Sequence, residues 1–163
     1  MKPGQLKFRY ELQEDDPHLI GEIVESTGFF RDSEVAIAME LATEQINHPR
    51  PDGYHFIFAE INGRMTGYSC YGPVPGTVGC FDLYWIATHS KFQGSGIGGQ
   101  ILNETLKLVR KRQGRLLIAE TATKALYAPT RAFYEKHGFL QEALIRDFYE
   151  PGDGKAMFVF RFE

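Results

Sequence analysis

The chain has 163 residues, enough for one domain with a substantial core, and its 43% hydrophobic residues exclude a disordered protein. A formal net charge of -3 argues against a general nucleic-acid-binding protein, and two cysteines are too few for a disulfide framework. Because no apolar stretch approaches the roughly 18 residues of a membrane span, we expect a cytoplasmic protein that forms a single domain over residues 1–163, with neither membrane nor nucleic acid as partner.

The first quarter of the chain predicts one strand and two helices. Residues 6–12 alternate as a strand does, and Asp16 followed by Pro17 marks the start of a short helix. A second helix follows and ends before two prolines. Its predicted apolar stripe consists of Val35, Met39, Ala42 and Ile46.

An antiparallel hairpin comes next. Residues 54–61 and 65–71 are rich in strand-forming side chains, and they flank Asn62-Gly63, the strongest short hairpin signal. Residues 78–88 then predict a long fourth strand. Strands two and three are therefore expected to be antiparallel neighbours.

The second half of the chain predicts a helical crossover and a terminal hairpin. A third helix over residues 97–113 leads to a short apolar strand at 116–119, so strands four and five are expected to be parallel. A last helix at 129–137 precedes strands at 143–149 and 156–162. The residues predicted to be buried on the third helix are Ile97, Ile101, Thr105 and Val109.

A glycine-rich loop joins the fourth strand to the third helix. Residues 93–99 read QGSGIGG, and side chains this small let backbone N–H groups approach a ligand closely. The N-terminus of the helix that follows offers unpaired N–H donors and a dipole that favours an anion. This combination predicts a pyrophosphate-binding loop.

One interpretation of the loop is a dinucleotide-binding oxidoreductase. Gly94, Gly96 and Gly99 satisfy G-x-G-x-x-G, and Glu120 ends a strand about twenty residues later. That fingerprint normally follows the first strand of its domain, whereas four strands precede it here. The 64 residues after Gly99 also hold one further helix and a hairpin instead of more βαβ units.

A second interpretation rests on two blocks of sequence. Residues 86–98, IATHSKFQGSGIG, resemble the acetyl-CoA-binding segment of the GNAT superfamily of N-acetyltransferases, whose signature here is Gln93, Gly96 and Gly98. Residues 132–139, AFYEKHGF, resemble the block in which such proteins often carry Tyr-x-x-x-Gly-Phe. The order of predicted elements is similar to that family's as well, so the resemblance covers nearly the whole chain.

The resemblance implies a fold and a way of holding acetyl-CoA. The fold is a mixed, mostly antiparallel sheet of seven strands flanked by four helices, with a splay between strands four and five. The pantetheine arm would bond the edge of strand four, and the pyrophosphate would bind the glycine loop. The implied cofactor-binding residues are Ile86, Thr88, Gln93, Gly94, Ser95, Gly96, Ile97, Gly98 and Gly99.

The resemblance also implies catalytic roles. Tyr134 lies where the family motif places a tyrosine that protonates the departing thiolate, although a tyrosine packed in the core is the alternative. Asp82 lies near the position of a glutamate base in the histone-acetylating branch, and the shorter side chain implies a water relay. Glu120 is the competing carboxylate, and both acids have the alternative of a purely structural role.

These observations predict an acetyl-CoA-dependent N-acetyltransferase that uses acetyl-CoA as co-substrate and no metal. The expected acceptor is a primary amine of a small molecule, with a protein or peptide amine as the weaker option. A catalytically silent acyl-CoA-binding module is the alternative function. The oligomeric state stays open, with a homodimer as one option.

Overall fold

The computed structural model describes residues 4–163, and its helices and strands follow the predicted order. The elements are β1 (Leu6–Arg9), α1 (Asp16–Ser26), α2 (Asp32–Asn47), β2 (His55–Ile61), β3 (Arg64–Pro73), β4 (Cys80–Thr88), α3 (Ile97–Lys111), β5 (Leu116–Ala122), α4 (Ala128–Lys136), β6 (Leu140–Glu150) and β7 (Asp153–Arg161). Short 3₁₀ turns at Ser90–Phe92 and Ala125–Tyr127 precede α3 and α4.

The strands form one seven-stranded sheet in the order β1-β2-β3-β4-β5-β7-β6. β4 is parallel to β5, while β1 with β2, β2 with β3, β5 with β7 and β6 with β7 are antiparallel. The predicted fold class is therefore confirmed. The parallel ladder runs from the pair Cys80↔Leu116 to the pair Leu83↔Ala119, and both strands extend beyond these pairs.

The described chain divides into two compact units, and the first contains the residues up to Gly72 together with Trp85–Lys107. Its core is formed where α1 and α2 pack on β2 and β3, and Ile20, Val24 and Phe58 are fully buried there. In α3 the buried side chains Ile97 and Ile101 pack with Ala59 of β2. The predicted apolar stripe of α3 is confirmed, since all four of its residues are buried.

The second unit contains Pro73–Tyr84 and Leu108–Glu163. Buried side chains of β5 and β7, such as Leu117 and Phe158, form its core together with Phe139, which lies between α4 and β6. β6 is the outer strand of this part of the sheet and is exposed along nearly its whole length.

Strand lengths differ from the sequence prediction in both directions. β1 ends at Arg9 instead of residue 12, because the Arg9 guanidinium binds the Asp16 carboxylate and the chain turns there. β5 extends to Ala122 and β6 starts at Leu140, because pairing with β7 continues past the most apolar segments. Long-range pairing of this kind is not visible in local composition.

Two negative predictions concern cysteines and membranes. Cys70 and Cys80 are both buried free thiols. Of the helices that the structure describes, none combines the length and the apolar character needed to cross a membrane. The single-domain organisation stays a prediction.

Candidate active site

The glycine loop connects β4 to α3 through backbone conformations that favour glycine. Gly94 has φ +80° and Gly96 has φ +84°, a left-handed region that side-chain-bearing residues rarely adopt. A Cβ added at either position would meet nothing within 4 Å, so open space lies beside both residues. The loop backbone is therefore accessible to a ligand.

Two polar side chains of the loop hold its shape. The Gln93 Nε2 group donates to the backbone carbonyl of Thr88 at 3.3 Å, and the Ser95 hydroxyl donates to the carbonyl of Phe92. Both side chains thus bind the chain's own carbonyl groups. The donors left to face an anion are the backbone N–H groups at the start of α3.

The first turn of α3 suits an anion electrostatically. It carries no acidic residue, while Arg110 and Lys111 lie in the last turn. Ile97 at its start is buried against Ile101 and the partly buried Ile86 of β4. The end of β4 and the start of α3 are thus fixed to each other by packing, which holds the loop between them. The loop residues and Ile86 and Thr88 all belong to the first unit.

Tyr134 lies on α4 in the second unit, with its ring in an aromatic cluster. The ring centroids of Phe139 and Phe158 are 5.2 Å and 5.9 Å away, and only 5% of the residue is exposed. Its hydroxyl makes no hydrogen bond to the residues that the structure describes. Burial raises the pKa of Tyr134 well above that of a free phenol, so the hydroxyl is protonated at neutral pH.

Asp82 and Glu120 lie near each other on adjacent parallel strands of the second unit. Asp82 is level with Ile118 of β5, two residues before Glu120, so both acids point to the same face of the sheet. Burial raises the pKa of Asp82, Glu120 raises it further and Lys155 lowers it. The Nζ of Lys155 lies 2.9 Å from the Glu120 Oε2 atom.

The carboxylate of Asp82 differs from those of the structural aspartates in this chain. Buried Asp16 binds the Arg9 guanidinium at 2.8 and 2.9 Å, and buried Asp153 accepts hydrogen bonds from the backbone of Thr123 and Lys124. Within residues 4–163, half-buried Asp82 makes no hydrogen bond or ion pair. Both of its oxygens are thus free to accept a proton.

Tyr134 and the acidic pair contact opposite faces of the same sheet segment. In β7, Phe158 packs against the Tyr134 ring, while Lys155 binds Glu120. Since even- and odd-numbered residues of a regular strand point to opposite faces, the phenol and the carboxylates lie on either side of β5 and β7. The residue able to accept a proton and the residue able to donate one are therefore on opposite faces of these two strands.

A hydrogen-bonded connection after β5 positions α4. Arg131 of α4 donates to the carbonyls of Ala122 and Lys124, at 2.8 and 3.0 Å. The carboxylate of Asp153 in the β6–β7 hairpin accepts from the N–H groups of Thr123 and Lys124. Sequence reasoning missed these residues, because Asp153 is about 30 positions from its partners and reads locally as part of a turn.

Among the described residues, His, Cys, Asp and Glu side chains are possible ligands of a metal ion. No group of three or more His, Cys, Asp or Glu side chains among residues 4–163 is placed to hold a metal ion.

Comparisons with known proteins identify the family. The model of the acetyltransferase (GNAT) domain matches residues 52–141. A crystal structure from Desulfovibrio desulfuricans, of a protein assigned to the GNAT acetyltransferases, is 45% identical; the match covers 96% of this chain and 99% of that one, with a TM-score of 0.94. The chain therefore belongs to the GNAT acetyltransferases, and it is an acyltransferase.

More distant structures show the same fold. The ribosomal-protein-S18-alanine N-acetyltransferase of Escherichia coli is 18% identical over 96% of this chain and 94% of that chain, with a TM-score of 0.76. An aminoglycoside 6'-N-acetyltransferase in complex with coenzyme A is 15% identical over 96% of each chain, with a TM-score of 0.75. A search of curated proteins finds no match.

Family membership decides between the two interpretations of the glycine loop. The oxidoreductase interpretation is wrong, since the loop belongs to an acetyltransferase domain and not to a dinucleotide-binding one. The GNAT family uses acetyl-CoA, and the open, glycine-lined backbone before α3 fits a pyrophosphate group.

Proposed function

We propose that this protein transfers the acetyl group of acetyl-CoA directly to the primary amine of a small molecule, in the cytoplasm, as a single domain. The observation that carries this proposal is the open glycine loop with left-handed backbone before α3, in a chain that belongs to the GNAT acetyltransferases. Acetyl-CoA supplies an activated thioester, and the chain must supply a proton acceptor, a proton donor and a fixed orientation.

The glycine loop supplies the orientation. Backbone N–H groups from Gly94 to Gly99 bind the pyrophosphate, and Gln93 and Ser95 hold the loop in shape. The exposed edge of β4 near Ile86 and Thr88 binds the pantetheine amides as an added strand would. These contacts orient acetyl-CoA and take no part in proton transfer.

Asp82 acts as the base. It accepts a proton from the ammonium form of the acceptor, directly or through one water, and the neutral amine nitrogen then attacks the thioester carbon. The pKa of Asp82 is raised above that of an ordinary aspartate, which makes the carboxylate a stronger proton acceptor than a solvated one. Glu120 is the alternative base, but its carboxylate is already bound by Lys155.

Tyr134 acts as the acid. When the carbon–sulfur bond breaks, its hydroxyl donates a proton to the sulfur. The nitrogen of the adduct releases its extra proton to solvent, and the tyrosinate recovers a proton from solvent. The absence of a hydrogen bond from this hydroxyl to the described residues leaves it available for such a partner. The surrounding rings of Phe139 and Phe158 fix its position, which a weak acid needs in order to donate efficiently.

A panel of amines assayed by release of free CoA thiol tests the function. The panel contains small amphipathic amines, an aminoglycoside, amino acids and a peptide with a free N-terminus. We expect turnover with at least one small amine and none with the peptide. Turnover with the peptide alone contradicts the proposed acceptor class, and acetyl-CoA binding without any turnover supports a silent binding module.

A further inference from the structure

We propose that Lys155 is a positioning residue, which holds Glu120 in an ion pair and so leaves Asp82 as the carboxylate that accepts the proton of the amine. This inference rests on the proposed function. It concerns three side chains from three adjacent strands of the second unit: Asp82 of β4, Glu120 of β5 and Lys155 of β7.

The position of the ammonium group of Lys155 is fixed by two contacts. Its Nζ atom lies 2.9 Å from the Glu120 Oε2 atom and 4.5 Å from the ring centroid of Phe148. The Lys155 side chain is only 16% exposed, whereas that of Glu120 is 41% exposed. A cation held this way restrains a carboxylate that would otherwise sample many rotamers in solvent.

The ion pair makes the two acids chemically unequal. Glu120 has a cation in direct contact, while Asp82 has neither a hydrogen bond nor an ion pair within the described chain. Without Lys155, two carboxylates would face each other on neighbouring strands, and each would disfavour ionisation of the other. With Lys155 present, one acid is neutralised in place and the other stays open to the amine.

The charged groups around Asp82 predict the direction in which its pKa shifts when either partner of the ion pair is removed. Glu120 on β5 raises the pKa of Asp82 and Lys155 on β7 lowers it, while Cys80 on β4 carries a neutral thiol whose own pKa is raised by burial and by Asp82 and lowered by Arg115. Removal of Lys155 should therefore raise the pKa of Asp82, and removal of Glu120 should lower it. A structural ion pair beside Asp82 would shift its titration in the same two directions, so the distinguishing result is an acidic limb of kcat/KM that moves together with that titration.

The test measures kcat/KM against pH for Lys155→Met, Glu120→Gln and the double variant, with the best amine from the panel. The methionine keeps the apolar contact with Phe148. We expect the acidic limb to move to higher pH in Lys155→Met, to lower pH in Glu120→Gln, and to an intermediate position in the double variant. As a control, Arg161→Met, also on β7, breaks the exposed ion pair with Glu142 of β6 and should leave the limb unchanged.

A direct titration makes the test independent of turnover. The carboxyl carbon of Asp82, assigned with Asp82→Asn, is followed by NMR in the wild type and in each variant at matched ionic strength. Opposite displacements of its midpoint in the two single variants, matched by equal displacements of the acidic limb of kcat/KM, support the proposal. An unchanged midpoint in Lys155→Met contradicts it.

Failure of the inference and failure of the proposed function give different results. If the wild type is active but Lys155→Met changes neither the acidic limb of kcat/KM nor the titration midpoint of Asp82, the positioning role alone is overturned. Full activity in Asp82→Asn, with activity lost in Glu120→Gln, makes Glu120 the base and overturns the role as well. Wild-type protein that binds acetyl-CoA but acetylates no amine contradicts the proposed function, and the role of Lys155 with it.

Discussion

At the scale of single residues, the partners of each aspartate indicate its role. Asp16 and Asp153 are buried and bound by donors, as expected of groups that stabilise the fold. Within residues 4–163, half-buried Asp82 has no such bond, so its ionised form costs free energy that the fold does not recover. Groups of this kind are concentrated at functional sites.

Asp82→Asn should lower kcat/KM and leave the protein at least as stable at neutral pH. The folded-state pKa of Asp82 is raised, so wild-type stability falls as pH rises from the ordinary value of 3.8 through the raised value, and asparagine removes this loss. Denaturant unfolding at neutral and at acidic pH measures the difference, which should vanish in acid. A destabilised variant would instead indicate a structural carboxylate. Glu120→Gln is the matched control.

Tyr134→Phe should lower kcat by a factor on the order of 10²–10⁴, the typical loss for a missing general acid, while acetyl-CoA affinity is nearly unchanged. The ring contacts with Phe139 and Phe158 are kept, and no hydrogen bond to the described residues is lost. The melting temperature should therefore change little. Wild-type turnover would reject the acid role, and Tyr127→Phe is the control for a tyrosine just before α4.

At the scale of elements, the glycine loop combines left-handed backbone with open space. Because a Cβ at Gly96 would meet nothing within 4 Å, a substitution there is strained by its φ and not by a clash within the chain. Any effect on a ligand would then come from side-chain atoms that enter the space beside the loop.

Gly96→Val should abolish acetyl-CoA binding in calorimetry and leave the far-ultraviolet circular dichroism unchanged. Gly63→Val is the matched control, since Gly63 has φ +73° and is equally free of neighbours but lies in the β2–β3 hairpin. Both variants should lose stability through backbone strain, and only the first should lose binding. Equal acetyl-CoA affinity in the two variants would contradict a pyrophosphate-binding role for the loop.

The connection between β5 and α4 gives a second prediction at this scale. Asp153→Ala removes the acceptor of the Lys124 N–H and one of the two acceptors of the Thr123 N–H, which keeps the Gly154 carbonyl. This loss should cost about 1–3 kcal/mol of unfolding free energy. Exposed Asp147, which accepts from the N–H of Gly152 in the same hairpin, provides the control variant Asp147→Ala. Urea denaturation with an unchanged m-value measures both losses, and an equal loss would argue against a special role for Asp153.

At the scale of the whole molecule, ligand binding should appear as stability. Acetyl-CoA at about 100 times its Kd should raise the unfolding free energy by about 2.7 kcal/mol, since it binds the folded state alone. NADH at the same concentration should leave the melting temperature unchanged, because the loop belongs to an acetyltransferase domain. A stabilisation by NADH equal to that by acetyl-CoA would contradict the assignment of the loop.

The sequence by itself determined the order of elements, the glycine loop, the tyrosine block and hence the family. These are local signals: a turn, a helix start or a periodic apolar stripe depends on residues within a few positions of one another. The buried stripe of α3 and the Asn62-Gly63 turn follow from such spacing alone.

Only the tertiary structure decided how the two acids differ. Asp82, Glu120 and Lys155 lie more than 30 positions apart, and strand register alone brings them to one face of the sheet. The same holds for strand ends, which pairing with β7 extends past the apolar segments. Electrostatic coupling depends on distance through space, and local composition does not show which remote segments of the chain pair as neighbouring strands.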